Sequence, residues 1–411
     1  MFSISQDFAP PFKLISPFFI LGGVFYLLAS IYIFFFTADN LLIQDTKVLS
    51  LVHLYLLGFV MMVIFGAMAQ LVPVVLEVGH AAVELFYAIW PLLGIGTLLM
   101  VIGFLGYPAF LPYGGTVVLI SMMIFVIEIF ATIKKVKQLS LVINSVLISN
   151  TFLFFGIIFG LTMALGYAGV IEVDIISLLR SHVYLVIGGY IIVTLMGLSV
   201  VLLPMFGLSH GFSMRPLEIS IATMSVSVVL VVISSFAEYL FIEYIAYVLS
   251  VVSMFIYFYM TYTIFKTRAR KEIDIYTQSL FYGYISMLVA ITLGVLYLFI
   301  SYEPLLIASG WLMFFGFFGF VITGHMYKII PFLVWFERFS PLVGKEKVPM
   351  LADMVPKKSS HAQFVFGAIG VTLVALAILT QNDTMIKAGA SFLVVGAVAL
   401  LRSVLFMINY R

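Results

Sequence analysis

The sequence predicts an all-α polytopic membrane protein of about twelve transmembrane helices, arranged as three four-helix repeats with pseudo-threefold symmetry. Three observations predict it. Of 411 residues, 64% are hydrophobic and 9% charged, against roughly 25% charged in an ordinary soluble domain. About twelve apolar runs, each near the roughly 20 residues that a bilayer span requires, can be laid along the chain. One glycine and proline skeleton also returns three times along it.

Taken in order, the runs begin at about residues 13, 48, 85, 111, 141, 180, 217, 243, 275, 305, 362 and 385, and each extends roughly 20 to 28 residues. The leading stretch "MFSISQDFAPPFK" has one lysine and two prolines, and no small-residue cleavage site follows its apolar run. It is expected to be a short cytoplasmic tail that enters span 1, not a signal peptide. Span 2 opens on a histidine in "HLYLLGFVMMVIFGAMAQLVP". Span 4 carries Glu128 and ends at "KKVK", residues 134 to 137, and span 5 follows. Span 6 contains "SHVYLVIGGY", span 7 "EISIATMSVSVVLVVISSF", and span 8 runs into "KTRARK" at 266 to 271. Span 10 holds His325 and Lys328, and the longest polar connection, "WFERFSPLVGKEKVPMLADMVPKK", leads from it to spans 11 and 12.

Most basic residues follow even-numbered spans, including Arg215, Arg338, Lys345, Lys347, Lys357 and Lys358. The opposite loops carry Asp39, Asp45, Glu172, Asp174, Glu303 and Asp383, with Lys47, Arg180 and Lys387 as exceptions. The positive-inside rule then predicts cytoplasmic termini in a bacterial inner membrane. His53 starts span 2 near the outer face on this reading.

In span 2 the skeleton is Gly58, Gly66 and Pro73. It recurs as Gly189, Gly197 and Pro204 in span 6, and as Gly316, Gly324 and Pro331 in span 10. The intervals are eight and then seven residues each time. One transmembrane domain with internal repeats at approximately 13–137, 138–270 and 271–411 follows. Glycine at such places admits either a neighbouring helix or a flat ligand.

Composition also excludes. A net charge of +2 without a long basic block gives nucleic acid no footprint, and the absence of cysteine removes disulfides, iron–sulfur clusters and thiolate-bound metals. Histidine, methionine and carboxylates remain as ligands. Met61, Met62 and Met68 share one segment of span 2, where soft thioethers suit copper, but packing is the stronger reading of a chain with 21 methionines.

Six histidines are present: His53, His80, His182, His210, His325 and His361. His53, a candidate haem ligand, competes with a reading as an interfacial imidazole. His182 is a candidate metal or haem ligand, or an interface residue. His325 and Lys328 lie inside span 10 and need partners, which makes Glu128 a candidate for one of them; alternatively Lys328 snorkels to the interface. His80 and His210 are expected to be solvated in short loops, and His361 to be at the surface.

These residues resemble a known superfamily. A helix that begins with histidine and continues "LGFV…IFGA…LVP" in a twelve-span chain is similar to helix 2 of haem-copper oxidase subunit I, and closer still to NnrS-like and stand-alone subunit-I-like membrane proteins. The segments "SHVYLVIGGY…GLSVVLLPMFGLSH" and "GHMYKIIPFLVWFERFSPLVGKEKVP" resemble helices 6 and 10 of the stand-alone proteins. The resemblance implies that His53 holds a low-spin haem b and that His182 lies near a copper ligand. The helix 10 ligand positions are Ser309 and Trp311 here, and span 7 lacks the family's histidine pair. A dioxygen-reducing centre is therefore not expected, nor terminal oxidase or nitric oxide reductase activity. Trp311 is expected to line the haem position or to fill the space of a lost macrocycle.

Three functions compete. The first is a haem-binding, copper-permitting protein for electron transfer or nitric oxide handling, served by a redox partner or respiratory complex. The second is a transporter or channel for a small solute or metal ion, with His325, Lys328 and Glu128 as its intramembrane polar site. The third is an assembly partner of a respiratory complex.

Overall fold

A computed structural model describes residues 8–43, 45–237 and 239–411. The expected leading tail lies, up to residue 7, outside the described residues. Among the described residues, twelve helices are long and apolar enough to cross a membrane. They are α1 (Phe12–Phe35), α2 (Thr46–Leu76), α3 (Val83–Phe104), α4 (Pro108–Ile133), α5 (Leu141–Tyr167) and α6 (Ile175–Gly207), followed by α7 (Arg215–Ala237), α8 (Leu240–Thr267), α9 (Ile275–Ile300), α10 (Glu303–Arg338), α11 (Lys357–Thr380) and α12 (Asp383–Ile408). Helix is what such a chain must form, because hydrocarbon offers no partner to a backbone N–H or C=O. The described residues contain no strand; Ser209 and Arg268 meet in an isolated antiparallel bridge.

Polar residues set several helix starts. Asp45, Ser140, Asp174, Asp274 and Asn382 each accept a backbone N–H of the first turn, which satisfies donors that the helix itself cannot. Polar opening turns account for the largest boundary differences. The sixth helix starts at Ile175, not near 180, because Asp174 takes the N–H groups of Ile176 and Ser177. The eleventh starts at Lys357, not near 362, with polar "KKSSH" as its opening turn.

Two compact units divide the chain. One holds Leu71–Leu99 and Tyr107–Glu272, hence most of α3 and all of α4 to α8. The other holds Pro10–Gln70, Met100–Gly106 and Ile273–Arg411, hence α1, most of α2 and α9 to α12. The border at Glu272 and Ile273 lies beside the expected start of the third repeat, and the borders after Gln70, Leu99 and Gly106 fall within the first.

The three helices with the glycine and proline skeleton stand apart from the other nine. At 31, 33 and 36 residues they are the longest, and buried residues make up 72%, 89% and 67% of their apolar windows against at most 50% elsewhere. Each also contains a π-helical segment around its first glycine: Leu56–Met61, Tyr184–Ile192 and Leu312–Phe318.

What the glycines admit is the preceding helix. A Cβ on Gly58 would lie 2.5 Å from Phe25 of α1, and one on Gly66 would lie 2.6 Å from Phe18. On α6 the equivalent atoms would meet Phe152 of α5 at 2.6 Å and Ser145 Oγ at 1.8 Å, and on α10 they would meet Ser286 and Ser279 of α9 at 2.6 and 3.0 Å. The partners are seven residues apart in all three pairs. Other small positions follow the same rule: Gly22 faces Val63 and Phe59, and Gly283 faces Val321 and Phe317. Of the two readings of the glycines, the space for a flat ligand is therefore the one the packing closes.

Gly197→Ala is expected to destabilise the chain by about 1–3 kcal/mol, the usual cost of overpacking. Adding Ser145→Gly should recover most of that loss, read as the unfolding temperature of purified protein.

Candidate functional site

The candidate site is a cluster of titratable side chains between α9 and α10. Asp274 caps α9, and its Oδ1 accepts from the backbone N–H and the hydroxyl of Thr277, both at 3.0 Å. Its Oδ2 takes the Lys328 ammonium of α10 at 2.5 Å. The ammonium also lies 5.6 Å from the centre of the Tyr276 ring. His325, one turn before Lys328, stands edge-on to that ring at 5.0 Å, with Nε2 3.3 Å from the Tyr276 hydroxyl. Its Nδ1 lies 2.7 Å from the Val321 carbonyl, so Nδ1 carries the proton and Nε2 is left to accept.

Local sequence builds this cluster. His325 and Lys328 are three residues apart, hence on one face of α10. Gly324 is small enough for Ser279 of α9 to approach its Cα. That approach brings the beginning of α9, with Asp274 and Tyr276, beside the imidazole and the ammonium. Both side chains of the ion pair are largely enclosed, 18% exposed for Lys328 and 23% for Asp274. Burial pushes the Asp274 carboxyl up, but the Lys328 and Thr277 hydrogen bonds outweigh it and hold the group below the ordinary aspartate range.

Sequence reasoning identified His325 and Lys328 and missed Asp274 and Tyr276. The available signal was an aspartate immediately before an apolar helical run, the pattern of an N-cap. Glu128, which the sequence offers as a partner to this pair, is engaged elsewhere: its Oε1 is 2.9 Å from His80 Nδ1. Expected to be solvated, the His80 side chain is 2% exposed, because this carboxylate draws it under the loop. His210 and His361 are exposed, as expected.

The remaining candidates are packed side chains. His53 Nδ1 lies 2.7 Å from the carbonyl of Leu49 on its own helix, and its ring rests 5.0 Å from that of Phe104. His182 Nδ1 lies 2.8 Å from the Gly156 carbonyl, and its ring fills the place a side chain would take at Gly160, where a Cβ would be 2.9 Å from Cε1. Trp311 donates from Nε1 to the Val371 carbonyl at 2.9 Å and stacks on Phe315 at 4.1 Å. Phe315 in turn stacks on Tyr55 at 3.9 Å, whose hydroxyl donates to the carbonyl of Phe314 within the π segment of α10.

The same geometry tests the fit of a haem. An Nδ1–H bonded to a carbonyl leaves Nε2 as the lone-pair nitrogen that an axial ligand needs. The cradle fails instead: Phe25 and Phe18 occupy the glycine face of α2, and Trp311 and Phe315 are committed to packing. Donor chemistry fits and the space for a macrocycle does not, so no step of a mechanism follows from it. Among the described residues no three His, Cys, Asp or Glu side chains gather as a metal-ligand set.

A carboxylate whose acidity rises on folding stabilises the fold above its unfolded value, about 3.9, and that contribution is lost as pH falls through the lower folded value. Below about pH 4 the unfolding temperature of the native protein should therefore drop with acid more steeply than that of Asp274→Asn. Parallel profiles would show that the Lys328 pair adds nothing to stability.

No protein-family model matches this chain, and no curated protein does.

Proposed function

We propose that the protein is a membrane carrier or channel for a small solute or cation, coupled to protons, whose ion-handling site is Asp274, Tyr276, His325 and Lys328. One observation carries this reading: a hydrogen-bonded imidazole and an ammonium lie one turn apart on α10, beside the aspartate that caps α9 and takes the ammonium. Ionisable groups are rare in spans and tend to mark ion or proton routes. His325 Nε2 is the proton acceptor of the site, and Tyr276 is the hydroxyl that presents a proton to it. Lys328 neutralises Asp274, and a cation entering the site competes with its ammonium for Oδ2.

The scaffold proposed for this site is that of haem-copper oxidase subunit I, as three four-helix repeats with pseudo-threefold symmetry. Support comes from the glycine intervals, the π segment at each first glycine and the seven-residue spacing of the partners. Both termini are proposed to be cytoplasmic, in a bacterial inner membrane, on the distribution of lysine and arginine.

A haem on His53 is the second reading, favoured by the bond that orients its imidazole. It requires Phe25 and Phe18 to leave the glycine face of α2. Reduced-minus-oxidised absorption spectra of the purified protein and of His53→Ala decide it: a b-type spectrum lost in the variant supports a haem, and a colourless protein after reconstitution removes it.

Proteoliposomes with an internal pH dye and an imposed potassium diffusion potential test the first reading. The native chain is expected to pass protons, and His325→Phe to slow the flux at least tenfold, about 1.4 kcal/mol in barrier. Equal flux in the native protein and in a chain with His325→Phe, Lys328→Met and Asp274→Asn together would overturn it.

A further inference from the structure

The unit of α4 to α8 holds a second buried ionisable pair, in which Glu128 is gripped on one side only. Its Oε1 accepts from His80 at 2.9 Å, from the backbone N–H of Ala81 at 3.0 Å and from the Thr132 hydroxyl at 2.7 Å. Oε2 is buried and accepts no hydrogen bond. The carboxylate side chain is fully enclosed and the imidazole is 2% exposed. Phe86 lies 4.7 Å from the imidazole, and Phe125 packs on Phe86.

We propose that His80 and Glu128 form a proton-binding site that holds one exchangeable proton and, through it, clasps the loop between α2 and α3. With its proton the pair is neutral overall, as imidazolium and carboxylate or as imidazole and carboxylic acid. The proton distributes over two coupled groups and belongs to neither alone. Without it one negative charge remains inside an aromatic wall, with an oxygen that nothing solvates. Burying such a charge is costly. Opening the loop lets water reach Oε2 and removes the cost, so loss of the proton and opening of the loop are linked.

Charged groups also surround the loop. Lys135, just past the end of α4, donates to the carbonyls of Gly79 and His80 at 3.1 and 2.8 Å, holding the loop by its backbone. Glu77, Glu84, Lys134 and Lys137 are exposed on the same segments. The fifth helix, packed along α4, carries no charged residue between Leu141 and Tyr167. The site is independent of the Asp274 cluster, and its test does not read transport.

Amide hydrogen exchange of residues 77–82 in the purified full chain, from pH 6 to 9, is the test. After correction for the intrinsic rise of exchange with pH, the native loop should gain up to a further tenfold in opening per pH unit, the limit for one linked proton. Glu128→Gln removes the carboxylate that makes the deprotonated state unfavourable and should abolish the added rise, and Lys135→Met should keep it. A flat corrected profile in the native protein overturns the proposal. So does the same added rise in Glu128→Gln, or in His80→Gln if that variant alone folds.

Discussion

Everything else in this structure depends on how closely an inner helix can approach the helix before it. Lipid tails are as apolar as leucine, so burial supplies little drive for helices to associate, and packing contacts must supply it instead. Two glycines eight residues apart open two notches on each of α2, α6 and α10, and two side chains seven residues apart on the preceding helix fill them. The notch at Gly197 is deep enough that even a methyl group would overlap the Ser145 hydroxyl. Sites on either helix inherit their geometry from this approach, as the meeting of Asp274 and Tyr276 with His325 and Lys328 illustrates.

The second constraint is electrostatic. Charged groups are scarce here, and four of those within or beside the spans are held by partners. Lys328 takes Asp274, Arg180 takes Glu243, and Glu128 takes His80. Lys387 donates to the carbonyls of Phe34 and Phe36, which lie at the end of α1. Exposed ion pairs contribute little, but in a low dielectric an unpaired charge is expensive, and pairing is what makes its burial tolerable. His325 stands beside the Asp274–Lys328 pair and His80 lies on Glu128, whereas the Nδ1 atoms of His53 and His182 lie against backbone carbonyls.

A proposed resemblance to oxidase subunit I is what makes a histidine near the head of α2 suggest haem. Motif and cavity are separate properties, however. The motif needs one residue at one place, whereas a macrocycle needs an empty slab beside it. Phe18, Phe25, Trp311 and Phe315 are ordinary apolar letters in a sequence that is 16% aromatic, and nothing in their spacing announces that they close the slab.

By itself the sequence determined that this protein is helical, that about twelve helices suit a bilayer, and that α2, α6 and α10 share a skeleton. Those properties follow from local composition and interval, because hydrocarbon forces the backbone into helix and glycine spacing persists along the chain. Tertiary structure alone decided who meets whom. Asp274 and Lys328 are 54 residues apart and His80 and Glu128 are 48 apart, separations at which a charge has no local preference among possible partners. The same is true of the glycines, whose notches read alike until a neighbour fills them. Sequence carries the supply of charges and notches, and the three-dimensional approach of the helices matches each to its occupant.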